Sequence, residues 1–145
     1  VSAEDGSITR PFGDGEHTFR LAIGQWRELQ ETVNRRRLEI GQPVIGPGVL
    51  VQILLTLNAW PDDIRDVIRL GLIGGGMKPD RALVLVKRHV ENLPFFANSV
   101  LAGEIAQTAM FGPRDDPAGK EPTPKPETAA TDEFSSPVST ASVLQ

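Results

Sequence analysis

Apolar positions along the first 111 residues recur with two periods, and the change of period divides the chain into elements. Gly6 to Ala22 reads as a β-hairpin. Ser7–Phe12 is followed by Gly13-Asp14-Gly15-Glu16, and the Asp-Gly step favours the positive φ angles of a tight turn. His17-Thr18-Phe19-Arg20-Leu21 then alternates, with Phe19 and Leu21 on one face. Pro11 withholds one ladder hydrogen bond, which predicts an edge strand or a short one. A lone hairpin is marginal in water, so this one must pack on the helices.

From Ile23 the period becomes helical. Ile23, Trp26, Leu29 or Gln30, and Val33 share one face of a helix to Asn34, with Arg27, Glu28 and Glu31 outside. Arg35, Arg36 and Arg37 suit the negative end of that helix dipole. Gly41, Pro43, Gly46 and Pro47 make Leu38–Gly48 a connection. Val49–Leu57 is apolar nearly all round. It reads as a helix with Pro47 in its first turn, in the middle of a bundle. Pro61-Asp62-Asp63 opens the next helix, with Ile64, Val67, Ile68 and Leu72 inward and Arg65, Asp66 and Arg69 outward; Gly74-Gly75-Gly76 ends it. Lys78-Pro79-Asp80 starts another, with Leu83, Val86, Val90 and Leu93 as its stripe, until Pro94 breaks it. Phe95–Phe111 closes the body, with Phe96, Val100, Leu101 and Ile105 as apolar positions.

Composition changes the picture at Gly112. Six of the 12 prolines follow it and large apolar residues become sparse, so residues 112–145 are expected to be a disordered tail. The predicted fold is therefore α+β and mostly α: residues 1–111 form an N-terminal hairpin (residues 6–22) packed on a bundle of about five helices. Of the net charge of −4, −3 belongs to the tail and −1 to the body, which offers no electrostatic footprint for nucleic acid. The chain has no cysteine, hence neither disulfides nor a thiolate metal site. Gln52 and Asn58 interrupt the longest apolar run, so no membrane span is expected, and Val1–Arg10 has no apolar stretch of the signal-peptide kind.

Candidate chemistry is thin. The glycine run lacks the Walker spacing and its Lys-Ser/Thr pair, and reads as a helix cap and turn. His17 and His89 are the only histidines, too few for a hydrolytic zinc site and without a nucleophile motif; His89 reads as a helix-surface residue beside Lys87 and Arg88. Asp62-Asp63-Asp66 and Asp14-Glu16 read as a helix start and a turn. Arg35–Arg37 could hold RNA or an acidic helix, but lacks flanking aromatics for base stacking and reads as a solvated helix end. Arg65 and Arg69 invite a helix-turn-helix reading, which Asp62, Asp63 and Asp66 oppose by repelling phosphate. Trp26 and Trp60 read as core anchors; exposed, they would mark a partner surface. The candidate partner-binding set is Trp26, Arg35, Arg36, Arg37, Trp60, Phe95 and Phe96. No catalytic residue, metal or cofactor is assigned, and a non-enzymatic protein is expected.

The order of these motifs resembles a known family. Thr18-Phe19-Arg20-Leu21 leads into Ile23-Gly24-Gln25-Trp26-Arg27-Glu28-Leu29-Gln30, and later come Ile64-Arg65-Asp66-Val67-Ile68-Arg69-Leu70-Gly71-Leu72, the glycine run and a further helix. Over roughly Gly6 to Gly112 this is similar to the gene-transfer-agent-type phage tail assembly chaperones, also catalogued as a tail tube-related family. The basic run Arg35–Arg37 and the Pro-rich tail depart from it. The resemblance implies an assembly factor in the host bacterial cytoplasm that binds the tape measure protein, helps recruit tail tube protein and is absent from the finished particle. It implies no nucleic-acid or membrane partner, and a homo-oligomer is open. The alternatives are a structural tail component, such as a tube or tube-associated subunit, and a small helix-turn-helix DNA-binding regulator.

Overall fold

The computed structural model describes residues 4–112. The tail expected over residues 112–145 lies, from 113 onward, outside the described residues. The elements are β1 (Ile8–Phe12), β2 (Gly15–Phe19), α1 (Ile23–Glu39), α2 (Pro47–Leu55), α3 (Pro61–Gly74), α4 (Pro79–Val86), which runs on into a wide π-helical turn (Lys87–Glu91), and α5 (Phe96–Phe111). The α+β, mostly α architecture expected from the periodicities is the one observed.

The strands pair antiparallel, with Ile8 opposite Phe19 and Phe12 opposite Gly15. The turn is therefore Gly13-Asp14, not the Asp14-Gly15 step. Gly13 carries the positive φ, 65°, as a two-residue hairpin with glycine first requires. Pro11 faces Glu16, one pair from the turn, where ladder alternation asks no hydrogen bond of its nitrogen. The hairpin buries Ile8, Phe12, Phe19 and Leu21. Phe12 meets Phe19 edge-on at 6.0 Å.

Phe19 sits where β2, α3 and α5 converge. Gly71 makes the convergence possible, since a Cβ there would stand 3.2 Å from Ile105 Cγ2 and 3.3 Å from the Phe19 Cβ. The Gly71 carbonyl also accepts a hydrogen bond from the Arg20 N–H at 2.9 Å. The glycine run does more than cap α3. A Cβ on Gly74 would fall on the Arg20 carbonyl, and one on Gly75 on the Thr18 carbonyl. The hairpin lies directly against this helix end.

Several faces differ from their sequence reading. α1 continues through the arginines, which are good helix formers, to Glu39. Leu29 and Val33 are buried and Trp26 packs against the core from a half-buried position. Ile23, at the first turn, is 72% exposed. α2 is not central: it buries Leu50, Val51 and Leu54 and leaves Val49 and Leu55 exposed. On α3 the expected stripe is buried, but Asp66 is buried too instead of facing out. On α4 the inward residues are Ala82, Leu85 and Val86, and Leu83 and Leu93 are exposed. The inward face of α4 starts from Ala82 rather than the neighbouring Leu83, and the extra residue of the π-helical turn at Lys87–Glu91 then rotates the face before Leu93. α5 buries Leu101 and Ile105 as expected, with Ala102 and Ala106, and exposes Phe96 and Val100.

Candidate docking surface

α2 lies antiparallel to α5. A Cβ on Gly48 would be 3.7 Å from Met110 Cε, and one on Gly103 3.2 Å from Leu55 Cδ2. Continuing that register past Leu55 carries the α2–α3 corner towards Val100 and the start of α5. A second approach closes the same end. Pro61, Asp62 and Arg65 of α3 and Val90, Glu91, Leu93 and Phe95 line one cleft of about 310 Å³. Leu55, Leu57, Trp60, Leu93, Phe95, Phe96 and Val100 are all exposed, and these two approaches gather them at one end of the bundle. Exposed apolar residues concentrated at one end of a small protein mark a candidate interaction site.

Local structure maintains the patch at a cost. After α2 the Asn58 N–H donates to the Ile53 carbonyl at 3.0 Å and the Leu57 N–H to Leu54 at 3.1 Å. This is a helix-ending arrangement that normally places glycine at the left-handed position. Leu57 occupies it, at φ 64°, and is still 46% exposed. A leucine there carries roughly 1 kcal/mol of strain that burial does not offset. Leu57→Gly is therefore expected to raise stability by up to about 1 kcal/mol, read by urea denaturation, while weakening any partner that uses this corner.

The rim of the patch is polar. Arg65 stands among three carboxylates: Asp66 at 3.3 Å, Glu91 at 3.7 Å and Asp62 at 3.9 Å. Behind it lies a buried cluster. Arg36 Nη2 donates to Asp63 Oδ1 at 2.6 Å and Asp66 Oδ2 at 2.8 Å, tying the end of α1 to the first two turns of α3. Burial works against the Arg36 charge, but the hydrogen bonds to Asp63 and Asp66 outweigh it and raise its pKa. Burial pushes the Asp63 carboxyl above its ordinary value of 3.8; the Arg36 hydrogen bond pulls it back less than that, and Asp66 and Asp62 push it further up.

The seven residues singled out in the sequence divide. Trp60, Phe95 and Phe96 are exposed; Phe95 lines the cleft, and Trp60 and Phe96 adjoin its lining residues Pro61 and Phe95 along the chain. Trp26 is half-buried on α1. The arginine run is not a single solvated patch: Arg35 is exposed, Arg36 is committed to the buried aspartates, and Arg37 Nε donates to the Pro43 carbonyl at 2.8 Å. His89, expected on the helix surface, turns inward. Its ring lies 5.6 Å from Phe12, edge-on, with Nε2 buried. Leu55, Leu57, Leu93 and Val100 escaped the sequence reading as site residues. The excess of apolar residues over one helical face in Val49–Leu57 was the available signal. Among the described residues no group of three His, Asp or Glu side chains is placed to hold a metal, and no helix is long and apolar enough to cross a membrane.

No curated protein and no solved structure matches the chain. Residues 5–112, spanning β1 to α5, match the sequence profile of a family described as phage tail tube protein, GTA-gp10. That match takes in the hairpin, the glycine run and the helices that build the apolar end, and the chain belongs to this phage tail tube protein, GTA-gp10 family.

Proposed function

We propose that the chain is a docking component of the tail of a phage or phage-derived particle, a structural, tube-associated part that joins other tail proteins through its apolar end and catalyses no reaction. Membership of a tail tube family supports the setting. The observation that carries the docking role is a cleft lined by exposed Leu93 and Phe95 with Pro61, flanked along the chain by exposed Leu57, Trp60 and Phe96. Exposed aromatics of this kind supply most of the binding energy at protein interfaces. The test is co-expression with the cognate tail tube and tape measure proteins. Wild type is expected to co-purify with at least one of them. Trp60→Asp and Phe96→Asp are each expected to reduce that at least about tenfold, as loss of an anchor worth over 1.4 kcal/mol requires. Unchanged capture by both variants, with both folded, would contradict the reading.

A second reading, an assembly chaperone for the tape measure protein, is favoured by one observation. The sheet of the described residues has two strands of five residues each, little edge from which to extend a tube wall. An apolar cleft between helices instead suits a helical partner. Mass spectrometry of mature particles separates the two: retention supports the structural part, and absence supports the chaperone.

A further inference from the structure

The cleft between the start of α3 and the π-helical turn combines apolar walls with an excess of negative charge. Val90, Leu93 and Phe95 line it together with Asp62 and Glu91, and Arg65 is its one cation. The side chains of Asp62 and Glu91 are 59% and 37% exposed, and Arg65 stands 3.9 and 3.7 Å from them. Its hydrogen bond goes instead to Asp66, at 3.3 Å. Among the described residues neither Asp62 nor Glu91 accepts a hydrogen bond. Arg36 is shared between Asp63 and Asp66 behind the cleft. Four carboxylates, Asp62, Asp63, Asp66 and Glu91, thus meet two guanidiniums, Arg36 and Arg65, which leaves an excess of two negative charges. Arg69 does not offset it, being matched by Glu28 at 3.7 Å. Lys87 and Arg88 share the turn with Glu91 but do not line the cleft.

The fold accounts for Asp62 but not for Glu91. Asp62 lies in the first turn of α3, where a negative charge suits the helix dipole. Glu91 closes the π-helical turn, at the negative end of a helix, where an acid is unfavourable. Its partly exposed contact with Arg65 at 3.7 Å offsets little of that. A carboxylate set against the dipole, beside exposed Leu93 and Phe95, is placed for binding. We infer, building on the tail-docking reading, that the tail-protein segment this cleft receives is basic as well as apolar. A large apolar side chain of that segment packs against Val90, Leu93 and Phe95, and a neighbouring lysine or arginine reaches Asp62 and Glu91. That cation halves the local excess of negative charge. A purely apolar segment would strip water from both carboxylates and return nothing, and an acidic one would add repulsion.

Biolayer interferometry of the immobilised full chain against the cognate tail tube and tape measure proteins tests it. Affinity of wild type for the protein it binds is expected to fall at least about fivefold between roughly 50 and 500 mM salt. Glu91→Gln is expected to weaken binding about threefold, and Glu91→Lys at least about tenfold, by setting like charges together. Both variants are expected to melt within about 4 °C of wild type, since each removes an acid from the negative end of a helix at an exposed position. Should Glu91→Lys fail to fold, the salt response and Glu91→Gln decide. Binding that is insensitive to salt, or that Glu91→Lys leaves unchanged or tightens, overturns the inference. Trp60→Asp, measured alongside, separates the two claims. If it abolishes binding while Glu91→Lys does not weaken it, tail docking stands and the basic partner falls; if wild type binds neither protein, both fall.

Discussion

Replacing Arg36 with alanine is expected to lower the unfolding free energy by about 3–5 kcal/mol, because it strands two buried carboxylates. The side chains of Asp63 and Asp66 are 9% and 3% exposed, and Arg36 binds both at hydrogen-bonding distance. Arg65 and Arg69 reach Asp66 only at 3.3 and 3.8 Å from the solvent side, and cannot take the place of a guanidinium held between the two acids. Urea denaturation at neutral pH reads the loss directly. The cluster also carries a pH signature. The folded pKa of Asp63 lies above its ordinary value of 3.8. Between the two values the folded protein keeps a proton that the unfolded chain has released. The stability this group contributes is therefore present at low pH and is lost as pH rises through that window. Asp63→Asn removes this dependence and leaves the other carboxylates in place. The stability of wild type relative to Asp63→Asn is thus expected to improve on acidification from about pH 7 to about pH 4. A difference moving the opposite way would mean that pairing with Arg36, not burial, governs Asp63.

Gly75→Ala is expected to cost at least about 3 kcal/mol, at the upper end of overpacking effects, because its methyl group would meet backbone rather than a yielding side chain. The added atom falls on the Thr18 carbonyl. Making room lifts β2 from α3, breaks the Arg20–Gly71 hydrogen bond and opens Phe19, which is fully buried. Gly74→Ala meets the Arg20 carbonyl and is expected to behave alike. Gly24→Ala is the control. Nothing lies within 4 Å of a Cβ there, and in a helix the change is expected to stabilise by up to about 1 kcal/mol. Denaturation midpoints of the three variants give the contrast, and an unaffected Gly75→Ala would contradict the close approach of hairpin and helix.

What was legible in the sequence was what depends on neighbours along the chain. The hairpin, the α3 stripe of Ile64, Val67, Ile68 and Leu72, and the proline-led starts of α2, α3 and α4 follow from local period and backbone chemistry. What escaped depends on partners distant in sequence. Asp66 looked like an outward residue of α3, and only Arg36, 30 residues earlier, makes its burial tolerable. Gly74 and Gly75 looked like a cap, and the hairpin pressing on them is a tertiary fact. His89 looked exposed beside two cations, until the π-helical turn and Phe12 drew its ring inward. The docking surface was half legible. Trp60, Phe95 and Phe96 stood out as large aromatics near helix ends, but α2 was read as a central helix. Its second apolar flank, which contributes Leu55, was therefore assigned to the core. Periodicity shows how much apolar surface a helix carries, not how much its neighbours cover.

Hydrogen–deuterium exchange on the full chain, free and bound to its cognate tail partner, tests the docking assignment most directly. The α2–α3 corner from Leu57 to Pro61 and the segment from Leu93 to Val100 are expected to gain protection together, as one surface closing against the partner. Protection confined instead to the arginine run at the end of α1, with the corner and the start of α5 exchanging as in the free protein, would contradict the account.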